Sequence, residues 1–302
     1  MIRILGTILA GLVGLAFGSF LNVCLTRWPA GESVVKPRSH CRSCGRTLHW
    51  WENVPVVSWL ALRGRCRTCG AWIGWRYPLV ELAVGTTWAI VWQSAARFSG
   101  VEDFSSFSPR GLIEALAIVA GKMLLIWLLV GLAALDAEHF WLPDFLTYPG
   151  ILLGLAYSVA GNELPGPSDA GHKSLQILTG RLTFLLLNRL VATIIAAGLI
   201  LLIRWVYWLV RRREGIGLGD AKLMAMLAAW LDLSGALLSF ALGVVLGALA
   251  GATVTLTPNM RNAASPGQTK LPLGTFLCLG GIVSALWGQP ILAAYLRWAG
   301  FN

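Results

Sequence analysis

Two groups of residues have types and spacings that could do chemistry. The first is a set of four cysteines, Cys41-Arg42-Ser43-Cys44 and Cys66-Arg67-Thr68-Cys69, with residues 45 through 65 between the pairs. A Cys-x-x-Cys turn aims two thiolates at one point, and two such turns supply the tetrahedral sulfur set that structural zinc prefers. Gly45 and Gly70 follow the pairs, as a tight knuckle needing positive φ requires. Arg42, Arg46, Arg65 and Arg67 favour thiolate over thiol. Four sulfurs leave no open position on a tetrahedral ion, so the Zn2+ this cluster implies is structural. Two disulfides or four unconnected thiols are the competing readings, and a reducing compartment disfavours the disulfides. A zinc ribbon alone also serves nucleic-acid or protein docking, a reading weakened here by its tether between two apolar segments. Cys24 and Cys278 lie in apolar runs and read as packing, while His40 and His49 read as bystanders.

The second group comes from a survey of the 14 acids. Glu102, Asp103, Glu114, Glu163, Asp169 and Asp232 fall on outward loops or the outer side, where solvation explains them. Glu32, Glu52 and Glu81 belong to the cysteine loop or its exit, which leaves Asp136, Glu138, Asp144, Glu214 and Asp220. Asp136 ends an apolar helix after Leu132-Ala133-Ala134-Leu135, where an anion is poorly hydrated and meets the unfavourable end of the helix dipole. Asp220 closes Gly215-Ile216-Gly217-Leu218-Gly219-Asp220 just before the apolar stretch 223–231, at or near a helix start. Its glycines let a backbone run close to another chain, such as an extended substrate. If the two aspartates come within about 3–6 Å, repulsion lets the pair hold one proton between them. The charged member then takes a proton from water while the protonated one polarises a scissile carbonyl. Each signal has an ordinary explanation, chance for Gly-x-Gly-Asp and capping for a helix-end aspartate. No Gly-x-Ser-x-Gly elbow and no His-Glu-x-x-His site competes, and Glu138-His139 reads as interfacial polar surface.

The elements that position these residues are apolar. Of 302 residues, 56% are hydrophobic and 13% charged, against about 25% charged in a soluble chain. Uncharged runs cover 4–26, 145–162, 233–260 and 271–296, each near the length that crosses a bilayer as helix. The reading is an all-α polytopic membrane protein of about eight transmembrane helices with a small zinc-binding loop domain. The helices fall near 4–26, 78–96, 115–135, 142–161, 182–210, 220–231, 235–256 and 272–296; the sixth is short and the fifth contains Arg189 and Arg204. The first reads as a retained helix, not a cleaved signal. The 27–77 loop holds nine basic residues against Glu32 and Glu52, which keeps it cytoplasmic. Asp136, Arg211-Arg212-Arg213, Asp220 and the Arg261/Lys270 loop then share that side, with both termini outside. The domains are 1–26, a first transmembrane helix; 27–77, the cytoplasmic zinc loop; and 78–302, a transmembrane core. The net charge of +10 suits topology and anionic headgroups, and no nucleic acid is expected. No repeat and no large polar domain beyond the loop is legible.

Several stretches resemble one family. Gly18-Ser19-Phe20-Leu21-Asn22-Val23 is similar to the first-helix signature of the type 4 prepilin peptidases, the leader peptidase/N-methyltransferases. So are the tetracysteine loop, its interior Trp51-Glu52-Asn53-Val54-Pro55-Val56-Val57-Ser58-Trp59-Leu60 and its exit Arg76-Tyr77-Pro78-Leu79-Val80-Glu81-Leu82. Leu135-Asp136 with Leu142-Pro143-Asp144 resembles the first aspartate motif, and Gly217-Leu218-Gly219-Asp220-Ala221-Lys222-Leu223 the second. Leu271-Pro272-Leu273-Gly274-Thr275-Phe276-Leu277 stands where the family leads into its last helix.

The resemblance implies a GxGD-type aspartic peptidase of the bacterial inner membrane, with Asp136 and Asp220 as its catalytic pair and Cys41, Cys44, Cys66 and Cys69 as zinc ligands. Its substrates would be prepilins or type II secretion pseudopilins, cleaved on the cytoplasmic side after a glycine. It also implies methylation of the new amino terminus with S-adenosylmethionine, an activity associated with the cytoplasmic loop. No Rossmann fingerprint marks a donor site, so no residue is assigned to it. Lys222 and Asp144 are motif members that packing and hydration also explain. Trp28, Leu273 and Thr275 depart from the family pattern, and none is expected to touch the chemistry. Two other classes remain in view: a non-enzymatic membrane scaffold whose zinc loop docks a secretion component, and an ion transporter, disfavoured because no acid sits at mid-span.

Overall fold

The computed structural model describes residues 2–98, 109–162, 175–213, 217–256 and 271–300. The loop carrying Glu102 and Asp103, the stretch with Glu163, Asp169 and His172, Glu214-Gly215-Ile216 and the Arg261–Lys270 loop lie outside them. Among the described residues the regular elements are helical, with two isolated antiparallel bridges. They are α1 (Ile2–Arg27), a 3-10 turn (Trp50–Asn53), α2 (Val57–Ala61), α3 (Arg76–Phe98), α4 (Pro109–His139), α5 (Asp144–Asn162), α6 (Leu175–Arg211), α7 (Leu218–Leu256) and α8 (Leu273–Trp298). The chain divides into two compact units, 1–108 with 122–134, and 109–121 with 135–302.

In the first unit α1 lies against α3 because one face of α1 carries only hydrogen at Gly11, Gly14 and Gly18. A Cβ on Gly14 would stand 2.9 Å from the Gly85 Cα, and one on Gly18 2.7 Å from the Glu81 Cα. Small residues of this kind let backbones approach where lipid gives no hydrophobic drive between helices. Another side of α1 shows Leu5, Ile8, Leu9 and Leu12, all exposed, as a lipid-facing surface should be. The 122–134 stretch of α4 completes the unit. Its Leu125, Ile126, Leu129 and Leu132 are buried, Leu21 packs on Gly131, and the Trp127 indole donates to the Phe17 carbonyl at 3.1 Å. Gly18→Val should therefore destabilise the protein by about 1–3 kcal/mol through overpacking. The check is a lowered midpoint of thermal unfolding in detergent, with Gly198→Ala, which meets open space inside a helix, leaving the midpoint no lower than the parent's.

The second unit is organised around α7. Within it Asp232 has φ 69° and ψ 176°, far from helical values, so α7 is two helices joined at a kink. The first of them is apolar on every side, and Leu223 through Trp230 are all buried. A helix apolar all round belongs in an interior. That explains the short sixth segment of the sequence: it is the core of this unit, not a lipid-facing span. The Trp230 indole donates to the Gly150 carbonyl of α5 at 2.8 Å, and its ring lies 5.0 Å from that of Tyr157. Beyond the kink, a Cβ on Gly243 would meet the Leu277 backbone at 3.1 Å, which fixes the close crossing of α7 with α8. Arg189 of α6 is half-buried within reach of Tyr157.

Among the described residues, counting the kink and leaving out the short α2, eight helical segments lie near the positions expected from the sequence. Among the described residues, five helices are long and apolar enough to cross a membrane, those within 3–27, 111–139, 183–211, 218–253 and 273–298, with the two halves of α7 taken together. Eight spans are not confirmed among these residues. Helix α3 carries Glu81, Thr86, Thr87 and Gln93, and α5 is 19 residues long with Thr147, Tyr148, Tyr157 and Ser158 along it.

Candidate active site and metal centre

Asp136 lies in the last turn of α4, which Phe140 ends by adopting φ 51°. A carboxylate there faces the negative end of its own helix. The unit answers with the start of α8: Asp136 Oδ2 accepts the backbone N–H of Thr275 at 2.6 Å and the Thr275 hydroxyl at 3.1 Å. An anion at a helix N-terminus meets unpaired donors and the positive end of the dipole. Asp220 is the third residue of α7, and its Oδ2 accepts the Gly217 N–H at 3.3 Å, the reach-back half of a capping box. Both aspartates are buried, 6% and 8% exposed.

Leu142 joins the two. A Cβ on Gly274 would stand 2.9 Å from Asp136 Oδ2 and 3.0 Å from Leu142 Cδ1, and one on Gly219 3.1 Å from the same leucine. Asp220 feels the charge of Asp136, and the fully buried Cys278 feels both. At the rim, Lys222 pairs with Asp144 at 2.5 Å and lies 5.1 Å from the Tyr148 ring centre, tying α7 to α5. Glu138 and His139 pair at 3.8 Å on the surface.

One expectation is overturned. Thr275, a departure from the family pattern expected to stay clear of the chemistry, is the residue that holds Asp136. The family-like stretch around Gly274 points to the location, but nothing in the sequence says which carboxylate a helix start will cap. Cys278, which reads as packing, is fully buried and within electrostatic reach of both acids.

The cysteines sit in the first unit. All four sulfurs lie within 4.8 Å of one another, with Cys41 Sγ and Cys69 Sγ 3.8 Å apart. Tetrahedral zinc with Zn–S near 2.3 Å sets sulfurs about 3.8 Å apart. The two knuckles repeat each other in space. Gly45 N donates to the Cys41 carbonyl at 2.8 Å and Gly70 N to the Cys66 carbonyl at 2.9 Å, with φ of 69° and 70° at the glycines. Bridges His40 to Thr47 and Arg65 to Trp72 close them. The backbone N–H groups of Cys69 and then Thr68 pull the Cys66 thiol down to about 6. Cys69 is drawn down by the Ala71 N–H, but desolvation and the neighbouring sulfurs outweigh this and push it up to about 11. A divalent cation relieves that conflict by stabilising every thiolate at once. Around the cluster, the pKa of the Glu52 carboxyl is lowered by Arg46, at 2.6 Å, and then by the His49 N–H. His49 stacks on Trp51 and stays out of the sulfur set.

In class this is a polytopic α-helical membrane protein with a buried carboxylate pair at helix ends and a four-thiol loop. Residues 12–95 match the model of the bacterial peptidase A24 N-terminal domain, and residues 123–252 that of the type IV leader peptidase family. The chain is 32% identical over 322 residues to a prepilin leader peptidase/N-methyltransferase of Pseudomonas aeruginosa, covering 96% of this chain and 93% of that one. A protein of the same description from Burkholderia pseudomallei is 35% identical over 305 residues, covering 92% and 84%. One from Myxococcus xanthus is 38% identical over 242 residues, covering 78% and 61%. No solved structure matches the chain. The chain belongs to the type IV leader peptidase family, multi-pass proteins of the bacterial inner membrane.

Proposed function

We propose that this protein cleaves the leader of type IV prepilins or type II secretion pseudopilins on the cytoplasmic side and N-methylates the new amino terminus. The observation that carries the reading is the pair of buried aspartates gathered around Leu142 in a chain of this family. Asp136 and Asp220 share one proton. The charged member takes a proton from water as the water oxygen bonds to the carbonyl carbon, and the protonated member gives its proton to the carbonyl oxygen. Collapse of the tetrahedral carbon breaks the C–N bond, and the proton held by the pair passes to the leaving amine.

Cys41, Cys44, Cys66 and Cys69 would hold a structural Zn2+, which fits their number and sulfur spacing. Residues 27–77 serve methyl transfer and residues 78–302 cleavage. S-adenosylmethionine supplies the methyl group as a sulfonium. Incubating the purified protein with a prepilin and S-adenosylmethionine, then reading peptide mass, should give a shortened and methylated product. A docking scaffold would return the prepilin intact.

The hold of Thr275 on Asp136 gives a separate expectation. Thr275→Val keeps the backbone donor and loses the hydroxyl, so kcat for cleavage falls about 10-fold with KM little changed, the cost of one hydrogen bond to a charged group. Thr275→Ser restores it. Steady-state kinetics on a prepilin peptide checks both.

A further inference from the structure

The first unit holds a half-open cavity of about 630 Å³ between the second half of α1, the first turns of α3 and the inner side of the cysteine loop. That volume lies within the range of about 300–1,000 Å³ usual for small-molecule sites. The carboxylate pair contributes nothing to it. Ser19, Asn22 and Glu81 form one side, and Trp59, Trp72 and Tyr77 line another.

The polar side is built, not incidental. Glu81 is 6% exposed and Asn22 1%. Glu81 Oε2 accepts the backbone N–H of Val56 at 2.7 Å, and Ser19 and Asn22 stand beside the same carboxyl. Asn22 donates to the Tyr77 carbonyl at 2.9 Å, while its own Oδ1 is buried with no hydrogen-bond partner. Burying an acceptor unpaired costs about 1–3 kcal/mol, which a ligand donor would recover. The contact of Gly18 with Glu81 brings α1 close enough to put Ser19 and Asn22 there.

Charge narrows the occupant. Arg27, Arg42 and Arg67 line the cavity together with Glu32, Glu52 and Glu81, so it offers both signs of charge and suits a zwitterion that also carries a cationic centre. Within it, the Glu81 carboxyl and the unpaired Asn22 Oδ1 favour a cation on their side, and the faces of Trp59 and Trp72 attract one as well. Indole and phenol rings also suit a flat heterocycle.

We infer that this cavity binds the methyl donor, S-adenosylmethionine, with Glu81 and Asn22 facing its positive charge and the aromatic wall taking its adenine. The inference rests on the methyl-transfer reading above. Glu81 also has a structural use, holding Val56 at φ 60°, and Gln preserves that acceptor while removing the charge.

The test is calorimetric titration of the purified full chain with two analogues. Sinefungin carries an ammonium near the position of the sulfonium, and S-adenosylhomocysteine carries a neutral sulfur there. The wild-type protein should bind one sinefungin per chain at least about 10-fold more tightly than S-adenosylhomocysteine, a difference of the size expected for a buried charged hydrogen bond. Glu81→Gln should erase the preference. Ser58→Trp, which puts an indole into the cavity, should bind neither analogue while keeping the wild-type unfolding midpoint. A preference that survives Glu81→Gln, or wild-type binding by Ser58→Trp, overturns the cavity assignment and leaves methyl transfer standing. A wild-type protein that neither binds the analogues nor methylates a cleaved prepilin overturns both.

Discussion

Asp136→Asn and Asp220→Asn should each lower leader cleavage about 10³-fold, within the range of about 10²–10⁴ that a positioned acid or base contributes. Asparagine is nearly isosteric with aspartate, so the change removes the ionisable group and little else. The helix-end contacts persist in both variants. At position 136 the amide oxygen still accepts from Thr275, and at 220 it still accepts from Gly217. The variants should therefore insert and unfold like the parent. What they lose is the shared proton, since an amide neither takes a proton from water nor gives one to a carbonyl. Cleavage followed by gel shift of a prepilin, with unfolding midpoints measured alongside, checks both halves of the expectation.

The second large effect concerns the metal. Cys66→Ser should drop bound zinc from one ion per chain to below about one in ten and abolish methylation. Apparent binding of structural zinc is worth about 10–16 kcal/mol at neutral pH, and a loop of this size has little else to fold it. Cys66 is the buried member of the four and the one whose backbone donors most favour thiolate. Leader cleavage should continue at a comparable rate, because the aspartates, Leu142 and Thr275 all belong to the second unit. Metal analysis by mass spectrometry, with the two activities assayed on the same sample, separates these outcomes. Equal loss of both activities would contradict the division of labour.

Much of this site is legible before any coordinates. The cysteine spacing announces its sulfur set because two Cys-x-x-Cys-Gly turns have few other uses. Asp136 and Asp220 stand out because an apolar chain with 14 acids offers few explanations for an anion at a helix end. What the sequence withholds is tertiary. The kink at Asp232 is invisible in an apolar run, so the short segment before it reads as a weak span when it is a buried core. Thr275 is 139 residues from the carboxylate it holds, and a threonine near a helix start has many local uses. The cavity beside Glu81 is built from α1, α2 and α3 together, and the residues facing it follow no spacing that a single segment would reveal.

The pairing of the aspartates is the claim on which the mechanism stands, and a double-mutant cycle addresses it most directly. Single-turnover cleavage would be measured for Asp136→Asn, Asp220→Asn and the double variant. Groups that act as a unit are non-additive, so the double variant should be no slower than either single one within about threefold. Losses that multiply, or a single variant that cleaves near the parental rate, would show the two carboxylates working apart and contradict the account.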